Sequence, residues 1–357
     1  MTVQGPSPVG LGAVGSVAVR TFEARRTDSS TETQATHAMS SYEEDLQDGQ
    51  FYDPDAEYEP DPEYAATLAP DAARQRRERV GPTGRPLPYF PIPGPLNEHG
   101  PAQIIAMCNQ KGGVGKTTST INLGAALAEY GRRVLLVDFD PQGALSVGLG
   151  VNPMELDLTV YNLLMERGMA ADEVLLKTAV PGMDLLPSNI DLSAAEVQLV
   201  SEVARESTLQ RALKPLVADY DYVIIDCQPS LGLLTVNALT AAHRVIVPLE
   251  CEFFALRGVA LLTETIEKVR ERLNPELELD GILATMYDSR TVHSREVLAR
   301  VVEAFDDHVF HTVIGRTVRF PETTVAGEPI TTYASNSVGA AAYRQLAREV
   351  LARCHAE

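Results

Sequence analysis

"NQKGGVGKTTST", Asn109 to Thr120, decides how the rest of the chain is read. Gly115, Lys116 and Thr117 meet the second half of the phosphate-loop pattern G-x-x-x-x-G-K-[ST]. The first glycine of that pattern should fall at position 110, which is Gln110. Glycines stand instead at Gly112 and Gly113, and an extra lysine, Lys111, precedes them. The chain holds 30 basic residues and strongly prefers arginine, so two lysines in one loop do not follow from composition.

The flanks give the loop its context. "QIIAMCN" before it is a short apolar run, read as a buried strand. "TTSTINLGAALAEYG" after it carries Ile121, Leu123, Leu127 and Ala128 on a helical period and stops at Gly131. A strand, a glycine loop and a helix in this order turn backbone N–H groups toward an anion. Gly112, Gly113, Val114 and Gly115 would form the cradle, Lys116 would reach the β- and γ-phosphates, and the Thr117 hydroxyl suits Mg²⁺. Thr118 extends the donors toward the α-phosphate.

Further strands are expected at "RRVLLVDFD", "YDYVIIDCQPS", "HRVIVPLE", "LDGILATMY" and "HVFHTVI". Helices are expected around 158–166 and 191–218, from Leu231 to Ala242, and over 254–273, 292–306 and 338–354. Strands alternating with helices predict an α/β fold of the P-loop NTPase type, a mostly parallel sheet covered on both faces. In such sheets ligands bind beyond the carboxyl ends of strands. Asp226 ends one apolar strand and can serve Mg²⁺. Asp138 and Asp140, two apart at another strand end, lie on one side of an extended chain. One can join the metal shell while the other meets the attacking water.

"KGGVGKTT", "VLLVDFDPQG" and "VIIDCQPSLGLLTVNAL" together resemble the ParA partitioning ATPases, the Soj-like branch of the deviant Walker A family. The likeness runs from about Gln103 to the C-terminus. It implies an ATP-sandwich homodimer in which Lys111 crosses to the partner's phosphates while Lys116 serves its own. It also implies that Asp140 acts on the attacking water, that Thr117 and Asp226 serve Mg²⁺, and that hydrolysis is slow and gated by dimerisation. Family members bind double-stranded DNA without sequence preference, in concert with a ParB-type or other segregation partner. Arg290, in "YDSRT", matches a family position tied to DNA; Lys268, Arg270, Arg272, Arg316 and Arg319 are further candidates.

Net charge is −19, and neither the first 100 residues nor the remainder is basic, so DNA binding must use a local patch. The four cysteines are scattered, with no C-x-x-C pair, which speaks against zinc and fits a reduced cytoplasmic setting; Cys108 and Cys227, in or next to expected buried strands, do not suggest an iron–sulfur cluster at a dimer axis, and the family resemblance implies nucleoid association. No apolar run reaches the roughly 18 residues of a membrane span, and no basic residue precedes "VGLGAVGSVAV" at 9–19 as a signal peptide requires. The last helix, "AAYRQLAREVLARC", could lie on lipid as in the MinD-like branch, but it has no Phe or Trp wedge and is expected to pack on the sheet, so no stable membrane association is expected.

Residues 1–102 read as a disordered extension and 103–357 as the ATPase domain. "YEEDLQDGQFYDPDAEYEPDPEY" (42–64) is acidic, "RQRRERVGPTGRP" (74–86) basic, and "PLPYFPIPGP" (86–95) an extended linker. The extension could also dock another protein through Tyr52, Tyr58, Tyr64 and Phe90, and Met39 leaves room for a second translation start.

Overall fold

The computed structural model describes residues 80–252 and 255–354. Its centre is a seven-stranded sheet in the order β3-β4-β2-β5-β1-β6-β7. The strands are β1 (Gln103–Met107), β2 (Val134–Phe139), β3 (Leu176–Lys177), β4 (Met183–Leu186), β5 (Tyr222–Cys227), β6 (Arg244–Glu250) and β7 (Glu278–Thr285). Every pairing is parallel except that of the two-residue edge strand β3 with β4. The helices that matter for the site are α1 (Lys116–Glu129), α2 (Ala144–Gly148), α3 (Leu192–Gln198), α4 (Leu233–Ala241), α5 (Ala255–Arg272), α6 (Val292–Phe305), α7 (Arg319–Ala326) and α8 (Val338–Cys354).

The strands are apolar on both sides because helices cover both faces. Ile104, Ala106, Val223, Ile225, Val245 and Val247 point into a layer with α4 and α5. Their neighbours Ile105, Met107, Ile224 and Ile246 point the other way, against α1 and α8. The period-2 alternation thus divides one continuous apolar run between two cores. On the second face α8 buries Ala340, Tyr343, Leu346, Ala347 and Val350, and Tyr343 Oη lies 3.1 Å from Ser119 Oγ of α1. The apolar side of the last helix is therefore occupied by its own domain.

Three expectations need correction. "HVFHTVI" is not a strand. It runs beside β7 but joins it through isolated bridges, Val309 with Ile282 and Gly315 with Tyr287, and one further bond from Ile314 N–H to Ala284 O at 2.8 Å. The reason is Glu349 of α8, fully buried, whose two carboxylate oxygens accept from His311 N–H at 2.7 Å and Thr312 N–H at 2.9 Å. Those amides are thereby taken out of the ladder. Second, 191–218 is broken into α3, two 3-10 turns and the short helix Thr208–Leu213. Third, residues 80–102, read from the sequence as part of the disordered extension, have a defined path along the domain.

Residues 80–102 form a strap along the domain. Arg85 donates to the carbonyls of Asp306 at 2.9 Å and Val309 at 2.5 Å. Phe90 meets His311 edge-on at 6.5 Å between ring centroids, so this aromatic is turned onto its own domain. The Gly94 carbonyl accepts from Arg132, His99 pairs with Asp221 at 2.8 Å, and Gly100 N–H donates to the same carboxylate at 2.9 Å. A proline-rich segment loses little conformational freedom on ordering, so a few charged anchors suffice to hold it. Residues 1–79, with the acidic stretch, Tyr52, Tyr58, Tyr64 and Met39, lie outside the described residues.

Candidate functional site

The loop after β1 sits at the carboxyl edge of the sheet, next to the ends of β2 and β5. Gly113 and Gly115 adopt φ of +75° and +84°, the left-handed region that favours glycine. Gly115 is also the N-cap of α1 and offers no side chain, so the first N–H groups of that helix remain free to receive an anion. Val114 is buried and its carbonyl accepts from Thr285 Oγ1 of β7 at 2.9 Å, which pins the crest of the loop. Asn109 shapes the approach: its amide donates to Pro248 O at 2.7 Å and its oxygen accepts from Lys111 N–H at 2.9 Å. Gln110, at the position of the missing glycine, donates from Nε2 to Gly258 O of α5 at 3.3 Å. A side chain at 110 thus ties the loop to α5, a link that glycine could not make.

The two lysines point to different places. Lys116 is buried and folds over the loop, with Nζ 3.1 Å from Lys111 O. Lys111 reaches outward to Glu250 at 3.0 Å and Glu252 at 2.5 Å. The hydrogen bonds it donates to the Glu252 and Glu250 carboxylates raise its pKa against the opposing effect of burial.

The acids lie side by side. Asp138 and Asp226 are register partners on β2 and β5, and both are buried. Thr117 Oγ1 donates to Asp226 Oδ2 at 2.7 Å. Asp138 is held by Ser146 of α2, through N–H at 2.8 Å and Oγ at 2.7 Å. Burial pushes the Asp138 carboxyl well above the usual carboxylate range, and burial together with the Asp138 charge does the same to Asp226. Two adjacent buried acids and a hydroxyl form a donor set that a hard divalent cation would neutralise, so the residues fit Mg²⁺. Asp140 is less buried and accepts from Gln142 N–H at 3.0 Å, which leaves a carboxylate at the rim of the cradle. Thr118, in the first turn of α1, is partly exposed on the same edge.

The structure therefore brings Gly112, Gly113, Val114, Gly115, Lys116, Thr117, Asp138 and Asp226 into one site. It does not gather the six basic candidates. Arg290 and Arg316 lie beyond the carboxyl end of β7, where Arg316 N–H bonds Tyr287 O, and Arg319 opens α7 nearby in sequence. Lys268, Arg270 and Arg272 end α5, which leads into the amino end of β7. Most of them have a local acid: Arg290 with Asp288, Arg316 with Glu250, Arg319 with Glu322, Lys268 with Glu264 and Arg270 with Glu267. Sequence reasoning missed Asn109, Ser146, Glu250 and Thr285. Glu250, closing "VIVPLE", had a signal, because it ends a parallel strand at the ligand edge. The others act through contacts that no local spacing announces.

A family model described as an AAA domain matches residues 102–279. Sporulation initiation inhibitor protein Soj of Bacillus subtilis is 47% identical over 250 residues, covering 70% of this chain and 98% of that protein. Chromosome partitioning protein ParA of Caulobacter vibrioides is 48% identical over 255 residues, 71% of this chain and 95% of its own. Among solved structures, cobyrinic acid a,c-diamide synthase from Mycobacterium smegmatis with bound ADP and magnesium is 46% identical, with a TM-score of 0.64 over 71% of this chain and 96% of that one. With this identity over nearly the whole length of Soj and ParA, and with the loop, the paired acids and the parallel sheet in place, the chain belongs to the ParA/Soj family of chromosome-partitioning ATPases.

Proposed function

We propose that the protein is a dimerising ATPase of DNA segregation that binds ATP with Mg²⁺, pairs face to face with a second copy, holds DNA without sequence preference and releases it on hydrolysis. The observation that supports this best is the divergence of the two lysines. Lys116 lies over its own cradle, whereas Lys111 extends away from it, available to a second nucleotide once Glu250 and Glu252 let go. Two triphosphates facing each other in a dry interface require added positive charge, and Lys111 is the group that can deliver it.

The chain's own residues divide the work. The loop amides and the first turn of α1 receive the β- and γ-phosphates of the substrate, and Lys116 turns from Lys111 O onto them. Thr117 and Asp226 would hold Mg²⁺, with Asp138 beside them; the ion supplies charge to the phosphate oxygens. Asp140 orients the attacking water. Phosphoryl transfer asks mainly for positioning and electrostatics, so a site completed only by the partner's Lys111 gives slow, dimer-gated turnover. Arg290, with Arg316 and Arg319, is the better-placed DNA surface because it lies at the site's edge of the sheet. A ParB-like protein is the expected segregation partner, and a cytoplasmic, nucleoid-associated location follows from DNA retention. The MinD-like alternative needs a free amphipathic helix, whereas the apolar side of α8 is spent on α1.

The test is the oligomeric state of Lys111→Ala and Lys116→Ala with ATP. The first should bind nucleotide but stay monomeric; the second should not bind. A Lys111→Ala protein that dimerises like wild type contradicts the reading.

A further inference from the structure

Within the strap, "PLPYFPIPGP" (86–95) is built so that every residue except Tyr89 is a proline or precedes one. Proline fixes its own φ at about −65° and drives the residue before it out of the helical region, so the stretch is held extended in the polyproline II manner. Residues 87–96 accordingly form no helix, strand or turn. A polyproline II chain has about three residues per turn and therefore three faces. Leu87, Phe90, Pro93 and Leu96 make the inward face, all half-buried; Phe90 meets His311, and Leu87 lies against Gly81. Pro86, Tyr89, Ile92 and Pro95, spaced by the same turn, are all exposed, Tyr89 at 86% and Ile92 at 72%. Pro91 and Gly94 of the third face are exposed too. No side chain from Pro86 to Pro95 carries a charge or an amide, and the Tyr89 hydroxyl is its one polar side-chain group. Single exposed aliphatics need no explanation, but an apolar ridge kept in register over ten residues does.

The domain holds this ridge in place. Arg85 anchors one end on the carbonyls of Asp306 and Val309, and the Gly94 carbonyl on Arg132 and His99 on Asp221 anchor the other. Arg132 and Asp221 stand just before β2 and β5, so the strap follows the amino edge of the sheet, opposite the phosphate loop.

We infer that this ridge is a docking surface for a protein module with an aromatic-lined groove of the kind that reads polyproline II segments. Pro88 and Pro91 give the P-x-x-P spacing such grooves accept, and Tyr89 and Ile92 add bulk on the outward face. One face rests on the domain and two remain to be read. A ligand already ordered by its own domain loses little freedom on binding. Charge narrows the choice of groove. The chain immediately before Val80 reads "RQRRER" (74–79), four arginines to one glutamate. A groove with carboxylates at one end is complementary to that run. The docking surface lies away from the nucleotide, so the module would tether the ATPase without covering its site.

The experiment titrates the full-length protein into a fluorescently labelled SH3 domain whose groove is aromatic and acid-ended, and into the same domain with a groove aromatic replaced by lysine. Wild type should bind the first and not the second. Tyr89→Ser/Ile92→Ser should weaken binding about tenfold or more, as loss of aromatic and aliphatic anchors does. Arg76→Glu/Arg77→Glu should weaken it about threefold or more and flatten its salt dependence. Nucleotide affinity and the thermal midpoint should be unchanged in the Tyr89/Ile92 variant, since both side chains are exposed; if the pair lowers the midpoint, Tyr89→Ala alone is read in the same way. Failure of wild type to bind, or equal binding by the ridge variant, by the arginine variant or to the altered groove, would overturn the inference. So would a ridge variant that changes only self-association in sedimentation, or only binding to phosphatidylserine vesicles, by assigning the ridge to a second copy or to a lipid surface.

Discussion

At the scale of single residues, the proposed function has Lys116, Lys111 and Asp140 separate binding, pairing and turnover. Lys116→Ala removes the buried ammonium over the cradle. Charge-assisted hydrogen bonds are worth about 1.5–3 kcal/mol each, so ATP affinity measured by equilibrium titration should fall ~100-fold or more. Asp140→Ala should lower the steady-state ATPase rate ~100-fold or more while leaving ATP binding intact, because this carboxylate stands at the rim, where it can act on water. Unchanged turnover would move that role to Asp138. The geometry of the loop was legible in the sequence, because a glycine loop between a strand and a helix constrains backbone and charge together. What was not legible is the network that holds it. Asn109 reaches Pro248, and Ser146 reaches Asp138, through tertiary contacts between segments that sequence spacing does not relate. Nor did the sequence reveal that Lys111 has acidic partners in its own chain, since Glu250 and Glu252 lie on a different strand end.

At the scale of elements, strands and long helices followed their hydrophobic periods closely, while short or tied-down segments did not. α4, α5, α6 and α8 fall within a residue or two of the pattern, but β3 and β4 are too short to carry one. The strap shows why composition misleads: "PLPYFPIPGP" has no core of its own, yet it borrows anchors from the domain. Asp221 is the main one. Burial would push its carboxyl up, but donation from Arg133 N–H, His99 and Gly100 N–H outweighs burial and holds it below the ordinary value. A carboxyl whose folded pKa lies below its unfolded value of about 3.9 stabilises fully above that value. The contribution disappears as the pH falls through the folded pKa. Asp221→Asn in the full chain should therefore cost about 1–3 kcal/mol near neutral pH, and the gap to wild type should close in strong acid. Denaturant melts at several pH values check this; a gap that persists unchanged in acid would remove Asp221 as the charged anchor.

At the scale of the whole molecule, the proposed function asks an acidic chain to hold a polyanion. The arginines near the site are also partly neutralised by their own neighbours, Arg290 by Asp288 and Arg316 by Glu250. Affinity for DNA should accordingly be modest in one copy and rise when two copies align their patches. It should fall steeply with salt, because phosphate contacts release counterions. Arg290→Glu should weaken DNA retention about tenfold without changing nucleotide affinity, since its side chain pairs with Asp288 rather than with the phosphate loop. Filter binding on random duplexes over a salt series checks both points. The central claim is that ATP, through Lys111 and a second copy, builds the DNA-holding state. Sedimentation of the full-length Asp140→Ala protein with random-sequence duplex DNA at low salt, with ATP and then with ADP, tests it most directly. The account predicts a dimer travelling with DNA in ATP and a monomer apart from DNA in ADP; DNA carried equally with either nucleotide, or by a monomer in ATP, would contradict it.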